Sequence, residues 1–587
     1  MLRRRLGLLP VSAVYLVLIL GGCGSSSSNT SSSFTISTSP GSLNITQGSN
    51  GTSAVTITPQ NGFSGSVNLS ASGLPTGVTA AFNPSAATTS SALTLTASPT
   101  ATTGTVTVTI TGTSGTLTSN TALGLTVNGQ IPTGVLSHVV IIFQENRTPD
   151  NLFHDPVLYN PPPAGHGADI ALQGQTSTGE MVTLTPVPLV TSYDLGHSHT
   201  AFLQACDYNP STNSCAMDGA DKVQCGTGCP EFGQYQYVQQ SDVQPYFTMA
   251  ETYTFGDRMF QTNEGPSFPA HQYILSGTSA ISATSTTFVA SNPINTTAAG
   301  CLAPPGAEID VIDTSPGNNP ETPLTEIDQL CFEHPTLTDL LDAAGLSWKY
   351  YTPGAGSIWT APDAIQHMCV PSPPYPSDST VCSGPDWTNP NPNVVLEGSG
   401  AQILTDITNC NLANVSWVIP TAANSDHAGE NNGTGPSWVA AIVNAIGQNP
   451  ACPSGTTDTG QTFWNNTTII VTWDDWGGWY DHQPPSQIRD SYEYGLRVPL
   501  IVISPYTKPA YVSHVNHDFG SILKFVEAVF GLGEIDPSVG YADSRSDDLS
   551  DCFDFSQTPL VFTPIPAAKD AEFFLNDESS PTPPDDD

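Results

Sequence analysis

The chain has 587 residues, more than one domain's worth, and carries 13 Lys+Arg against 52 Asp+Glu, a formal net charge of −39. Only 11% of its residues are charged, less than half the roughly 25% usual in soluble proteins, while 38% are hydrophobic and 8% aromatic. That balance suits packed cores, not an acidic disordered chain, and the missing basic surface argues against nucleic acid and against anionic membrane surfaces as partners.

Arg3, Arg4 and Arg5 precede a largely apolar run, Leu6 to Leu20, interrupted by Gly7, Pro10 and Ser12. The run is shorter than the roughly 20 residues of a membrane-spanning helix and fits a cleaved export signal over 1–22. It ends in Leu20-Gly21-Gly22-Cys23, which resembles a bacterial lipobox. That resemblance implies lipidation of Cys23 and attachment to a membrane of the cell envelope; plain secretion is the alternative. Of 12 cysteines, all but Cys23 lie from Cys206 onward, and in an exported chain they read as disulfides rather than zinc ligands. The remainder is odd, so at least one thiol stays free or pairs outside the chain.

Residues 23–33 form a Ser-rich linker. Over 34–128 Thr, Val, Leu and Ile alternate with small polar residues, as in Ala54-Val-Thr-Ile-Thr and Val106-Thr-Val-Thr-Ile, between Gly/Pro/Asn turns. This is the pattern of an all-β sandwich, and the stretch resembles the bacterial immunoglobulin-like domains that precede secreted enzymes. It holds no His, Cys or carboxylate and so serves as a spacer or weak adhesive module.

From residue 134 the pattern changes. Val135–Phe143, Thr467–Trp473 and Val498–Ser504 are apolar runs of the kind expected for buried parallel strands, and Ser437–Ile446 and Ile522–Val529 read as helices. Together they predict an α/β domain over 134–565. Residues 566–587 close the chain as an acidic, solvated tail. Sparse charge also predicts few ion pairs, and hence little stability lost as carboxylates protonate in acid.

Two of the apolar runs lead straight into carboxylates: Phe143-Gln144-Glu145-Asn146-Arg147 and Thr472-Trp473-Asp474-Asp475-Trp476-Gly477-Gly478. Ligand crevices in open α/β sheets lie beyond the carboxyl ends of the strands. Glu145, Asn146, Asp474 and Asp475 are therefore expected in one cluster, where a divalent cation would relieve the repulsion between three acids.

Six blocks in order carry a family resemblance. They are His138–Arg147, Asn263-Glu-Gly-Pro-Ser-Phe-Pro-Ala-His271, Ser276-Gly-Thr-Ser, Asp426-His427, Trp473–His482 and Arg497–Pro505. The set resembles the bacterial phospholipase C/acid phosphatase phosphoesterase family of the alkaline-phosphatase-like superfamily. The resemblance implies an α/β/α sandwich after the immunoglobulin-like domain. It implies Glu145, Asn146, Asp474 and Asp475 as ligands of a divalent metal of unknown identity, Ser267 as nucleophile, and His197 and His427 beside the phosphate. Met217-Asp218-Gly219 also resembles a family block. His199 reads as a bystander, His271 as a neighbour of Ser267 one helical turn on, and His482 as a bridge within the Asp474 loop.

The chemistry agrees with those roles. A serine needs a metal or a base to become a nucleophile, and Pro266 suggests a turn into a helix whose N-terminal amides bind phosphate. Ser267 in place of Thr, Phe-Pro-Ala-His after it and an Asp-Asp pair lean toward the acid-phosphatase branch. The expected function is thus exported, metal-dependent hydrolysis of small phosphate esters through a phosphoseryl intermediate. The alternatives are phospholipase C action on phosphodiester head groups and a non-catalytic surface binder on the same scaffold. Segments 353–400 and 451–463 are expected to shape the mouth of the pocket.

Overall fold

The computed structural model describes residues 32–577, apart from 210, 213, 316–320, 325–329, 375–379, 389, 397–400, 486–491 and 493. The expected export signal, Cys23 and most of the Ser-rich linker lie outside these residues, as does 578–587.

The N-terminal region is entirely β. One sheet runs Ser33–Ser39, Asn50–Gln60, Ser90–Ala97, Val78–Asn83, and the other runs Ser42–Thr46, Leu117–Asn128, Gly104–Ser114, Val67–Ser72, Ala86–Ala87. The period-two pattern turns one face of each sheet inward, and Phe34, Val55 and Leu95 meet Ile110, Leu123 and Leu125 in a core of their own. Thr46 Oγ1 ties this region to the C-terminal segment, 3.1 Å from the Asp548 carboxylate and 3.0 Å from Ser550 Oγ.

The larger region is built on an eight-stranded sheet. Its strands in chain order are β1 (His138–Gln144), β2 (Thr254–Phe260), β3 (Trp348–Thr352), β4 (Val394–Leu396), β5 (Val415–Val418), β6 (Thr467–Trp473), β7 (Arg497–Ile503) and β8 (Tyr511–Ser513). The spatial order is β4-β3-β5-β1-β6-β7-β2-β8. All neighbours pair in parallel except β7, which runs antiparallel to both β6 and β2. The apolar run at 498–504 was expected to be parallel. A strand buried on both faces reads the same in either direction, so only the pairing reveals the reversal.

Helices α1 (Gln240–Thr252), α2 (Ser267–Ser276), α3 (Gly435–Gln448) and α4 (Phe519–Phe530) cover the sheet. Phe143 of β1 meets Phe519 of α4 and His271 of α2, whereas Trp473 of β6 meets Tyr246 of α1. Gln144 pairs with Trp473 and so shares its face, and Phe143 precedes Gln144 on the strand. Pleating therefore puts the two helix groups on opposite faces.

Two expectations need correction here. The tail expected over 566–587 is ordered as far as it is described: Asp570 caps the helix Ala571–Leu575, and Phe574 is buried in the main core. The segment 451–463 does not line the site. Its Asp458 lies 3.1 Å from Nε2 of His138, the first residue of β1, at the end of that strand away from Glu145. The segment after 353 does approach the site, through Trp359, whose ring lies 6.3 Å from His427. Five disulfides join Cys206–Cys215, Cys225–Cys229, Cys301–Cys331, Cys369–Cys382 and Cys410–Cys452. Cys552 is free and buried.

Candidate active site

The site forms where β1, β6, β5 and β2 end. Because Gln144 pairs with Trp473, the next residues, Glu145 and Asp474, emerge side by side. Asn146 adopts a left-handed backbone, φ 62°, and its amide N–H donates to Asp474 Oδ1 at 3.0 Å. Asp475 accepts from the Gly477 amide at 2.7 Å. Gly477 has φ +61°, and a Cβ there would collide with the Asn146 carbonyl oxygen. The glycine is thus what lets the Asn146 and Asp475 loops touch.

Ser267 opens α2, directly after Pro266, and its hydroxyl donates to Asp475 Oδ2 at 3.1 Å. One turn on, His271 Nε2 lies 3.4 Å from Glu145 Oε1 and 3.9 Å from Asp474 Oδ2. His197 approaches from the loop before the helix His199–Cys206. Its Nδ1 is bound to the Leu195 carbonyl at 2.8 Å and its Nε2 lies 3.2 Å from the Asn146 amide group. The His197 and His427 rings are 5.7 Å apart, and His427 Nδ1 is fixed on the Ala428 carbonyl. Ser267, His197, His427, Glu145, Asn146, Asp474 and Asp475, the residues singled out from the sequence, are all buried.

The electrostatics are those of a crowded acidic interior. Burial, then the Asp474 carboxylate, push the Glu145 carboxyl well above its usual range, and burial with Asp474 does the same to Asp475. Burial opposes charge on His197, but Asp475 and Asp194 outweigh it and raise the ring to about 9 in the metal-free protein. Burial lowers His271 to about 4, which keeps it neutral with a lone pair to offer. Neither Glu145 oxygen, nor Asp474 Oδ2, Asn146 Oδ1 or either nitrogen of His271, makes a hydrogen bond among the described residues. Buried polar atoms are rarely left so. Two carboxylates, an amide oxygen and a neutral imidazole converging without partners fit a divalent cation.

His271, expected as a neighbour of Ser267, therefore belongs to the donor cluster itself, and Glu145, His271 and Asp474 alone bring one donor atom each within 4.8 Å. The Ser267–His271 spacing placed both on one helix face, but not which strands that face would meet. Outside the cluster, His199 pairs with Glu264 at 3.3 Å. Two further expectations are corrected. His482 leaves the Asp474 loop and bridges Asp150 and Asp169, at 2.7 and 3.0 Å. The start of α2 offers little to an anion, because the Phe268 amide is taken by Asn292 Oδ1 and Pro269 has none. Asp426 is a bracket: it accepts from Tyr246 Oη and Trp473 Nε1, and its carbonyl holds Arg147 Nε.

The Phosphoesterase family model matches residues 136–533, well over half of the chain. The non-hemolytic phospholipase C of Burkholderia pseudomallei is 23% identical over 440 residues, covering 67% of this chain and 55% of the relative. The hemolytic phospholipase C of Pseudomonas aeruginosa is 24% identical over 355 residues, 54% of this chain and 43% of the relative. Phospholipase C A of Mycobacterium tuberculosis is 22% identical over 464 residues, 72% of this chain and 78% of the relative. The chain thus spans about half the length of the first two. It belongs to the Phosphoesterase family.

Proposed function

We propose that this is an exported, metal-dependent phosphoesterase that hydrolyses phosphate monoesters, in the manner of an acid phosphatase, through a phosphoseryl intermediate on Ser267. The observation that carries this reading is the Ser267 hydroxyl, 3.1 Å from Asp475 Oδ2 and beside a partnerless donor cluster. Glu145, Asn146, Asp474 and Asp475, joined by His271, would hold the cation. Bound there, it would neutralise the buried acids, lower the pKa of the serine hydroxyl and offset the charge of the phosphoryl group.

In the first step Ser267 Oγ bonds to phosphorus as the bond to the leaving alkoxide breaks. The hydroxyl proton passes to Asp475 Oδ2, and His427 or His197 donates a proton to the departing oxygen. Water then attacks the phosphoserine and gives a proton to the imidazole that had lost one, the Oγ–P bond breaks, Ser267 takes its proton back from Asp475 and phosphate leaves. His197, which Asp475 and Asp194 raise to about 9 against the effect of burial, adds positive charge beside the phosphoryl group.

Five disulfides support the export reading. A lipidated Cys23, an immunoglobulin-like spacer over 34–128 and an alkaline-phosphatase-like arrangement of the catalytic domain, 134–565, complete the proposal. A second reading, phospholipase C action on a phosphodiester head group, is favoured by the names of the relatives.

The test compares p-nitrophenyl phosphate with p-nitrophenylphosphorylcholine between about pH 4 and pH 9, with metal removed and restored. Monoester turnover lost without metal and in Ser267→Ala is the expected result. Diester turnover alone would assign the second reading, and activity surviving in Ser267→Ala would remove the nucleophile.

A further inference from the structure

One cysteine of the described residues stays outside the five disulfides. Cys552 ends the single 3-10 turn Ser550–Cys552, beyond the edge strand β8, and is buried. Beside it, Asp551 Oδ1 sits 3.6 Å from Cys552 Sγ and 3.5 Å from Nε2 of His517, which lies between β8 and α4. The three donor atoms lie within 4.8 Å of one another. We propose that His517, Asp551 and Cys552 form a second, structural zinc site that clamps the C-terminal segment to the edge of the sheet.

The spacing is the first support. Tetrahedral zinc with bonds of about 2.0 Å to nitrogen and oxygen and about 2.3 Å to sulfur sets its N and O ligands about 3.3 Å apart and its S and O ligands about 3.5 Å apart. The observed separations differ from these by no more than a few tenths of an ångström. The surroundings are the second. Asp547 Oδ1 holds His517 Nδ1 at 2.9 Å, the carboxylate–imidazole pairing that fixes a ligating ring with its other nitrogen toward the metal. Ser513 Oγ, 3.1 Å from the same Nε2 and donating to Asp551 Oδ2, stands where a fourth ligand or a bound water would sit.

The donor set narrows the metal. Thiolate excludes magnesium and calcium, and one thiolate with an imidazole and a carboxylate suits zinc. Binding would release the thiol proton to solvent. The clamp would hold the turn whose Ser550 contacts Thr46 of the N-terminal sheets, so the site would stabilise the junction between the two regions.

The test uses the full chain carrying Cys23→Ser, so that Cys552 is the only thiol outside the five disulfides. Cobalt(II) is titrated in and the near-ultraviolet sulfur-to-cobalt charge-transfer band recorded. The active-site cluster has no sulfur and cannot produce that band, whatever becomes of the phosphatase reading. We expect the band to grow to one equivalent, to be displaced by zinc, and to vanish in Cys552→Ser with the loss of one bound equivalent. Cobalt taken up by the Cys23→Ser chain without the band would overturn the proposal even if Cys552→Ser did not fold, and so would a band that survives Cys552→Ser.

Discussion

The Ser267 hydroxyl donates to Asp475 Oδ2 across 3.1 Å, joining the first residue of α2 to the loop that leaves β6. Asp475 is itself held through its other oxygen by the Gly477 amide, so the serine is aimed by a carboxylate that cannot swing away. Ser267→Ala is expected to lower turnover about a thousandfold or more while leaving the unfolding midpoint nearly unchanged. Trapping the wild-type enzyme at low pH during turnover should place phosphate on Ser267 by peptide mass spectrometry. A Ser267 peptide that stays unmodified during turnover would discard the serine mechanism.

Gly477→Ala tests the same loop from behind. The residue has φ +61°, and an added Cβ meets the Asn146 carbonyl. The substitution is expected to cost about 1–3 kcal/mol through backbone strain and to separate the Asp475 and Asn146 loops. Metal affinity and turnover should fall together, measured by calorimetric titration and initial rates. Wild-type affinity in a folded Gly477→Ala protein would show that the two loops need not touch.

The metal-free protein should respond to pH in an unusual direction. Burial and Asp474 raise Glu145, so the native state binds a proton that the unfolded state releases. That contribution should grow as pH falls in the presence of a chelator, while His271, held at about 4 by burial, works against it below about 6.5. His197, raised to about 9, adds in the same direction as Glu145, since its contribution is complete below about 6.5 and lost as pH rises through about 9. With metal bound, protons compete with it for the ligands and the trend should reverse. Thermal melts with chelator and with metal decide the matter; parallel curves would mean the cluster holds no cation.

Glu145 and Asp474 were legible because each follows an apolar run of strand length, and parallel neighbours in matching register must release such residues at one edge. The helices at 435–448 and 519–530 were legible from their apolar faces. The direction of β7 was not, since burial on both faces erases any sign of polarity. His271 carried its signal only relative to Ser267, and its neighbours, Glu145 and Asp474, come from strands distant in sequence. His517 and Cys552 share no motif at all. The odd cysteine count announced a free thiol but could not say which, because pairing depends on distances the sequence does not carry.

The few cations of this chain are concentrated, not absent, and that changes the basis of its expected behaviour in acid. Arg497, fully buried, donates through Nε and a terminal nitrogen to Asp481 at 2.9–3.1 Å and reaches Asp150 at 3.3 Å. His482 bridges Asp150 and Asp169. Burial works against charge on His482, but Asp150 and Asp169 raise it to about 10, so its contribution is complete below about 6.5 and disappears as pH rises through about 10. Asp150 and Asp169 are held below their usual range, so their contribution persists above about 3.8 and is lost only as pH falls further. Between pH 6 and pH 4 Asp150, Asp169 and His482 should keep their charges while Asp481, which burial raises to about 6, takes up a proton, and stability should decline between about pH 8 and pH 10. His482→Gln is expected to flatten that alkaline decline, and Arg497→Met, which strands two buried carboxylates, to cost about 3–5 kcal/mol. Urea unfolding at four pH values would show it; a steep loss between pH 6 and pH 4 would mean that other buried carboxylates, not this network, set the acid limit.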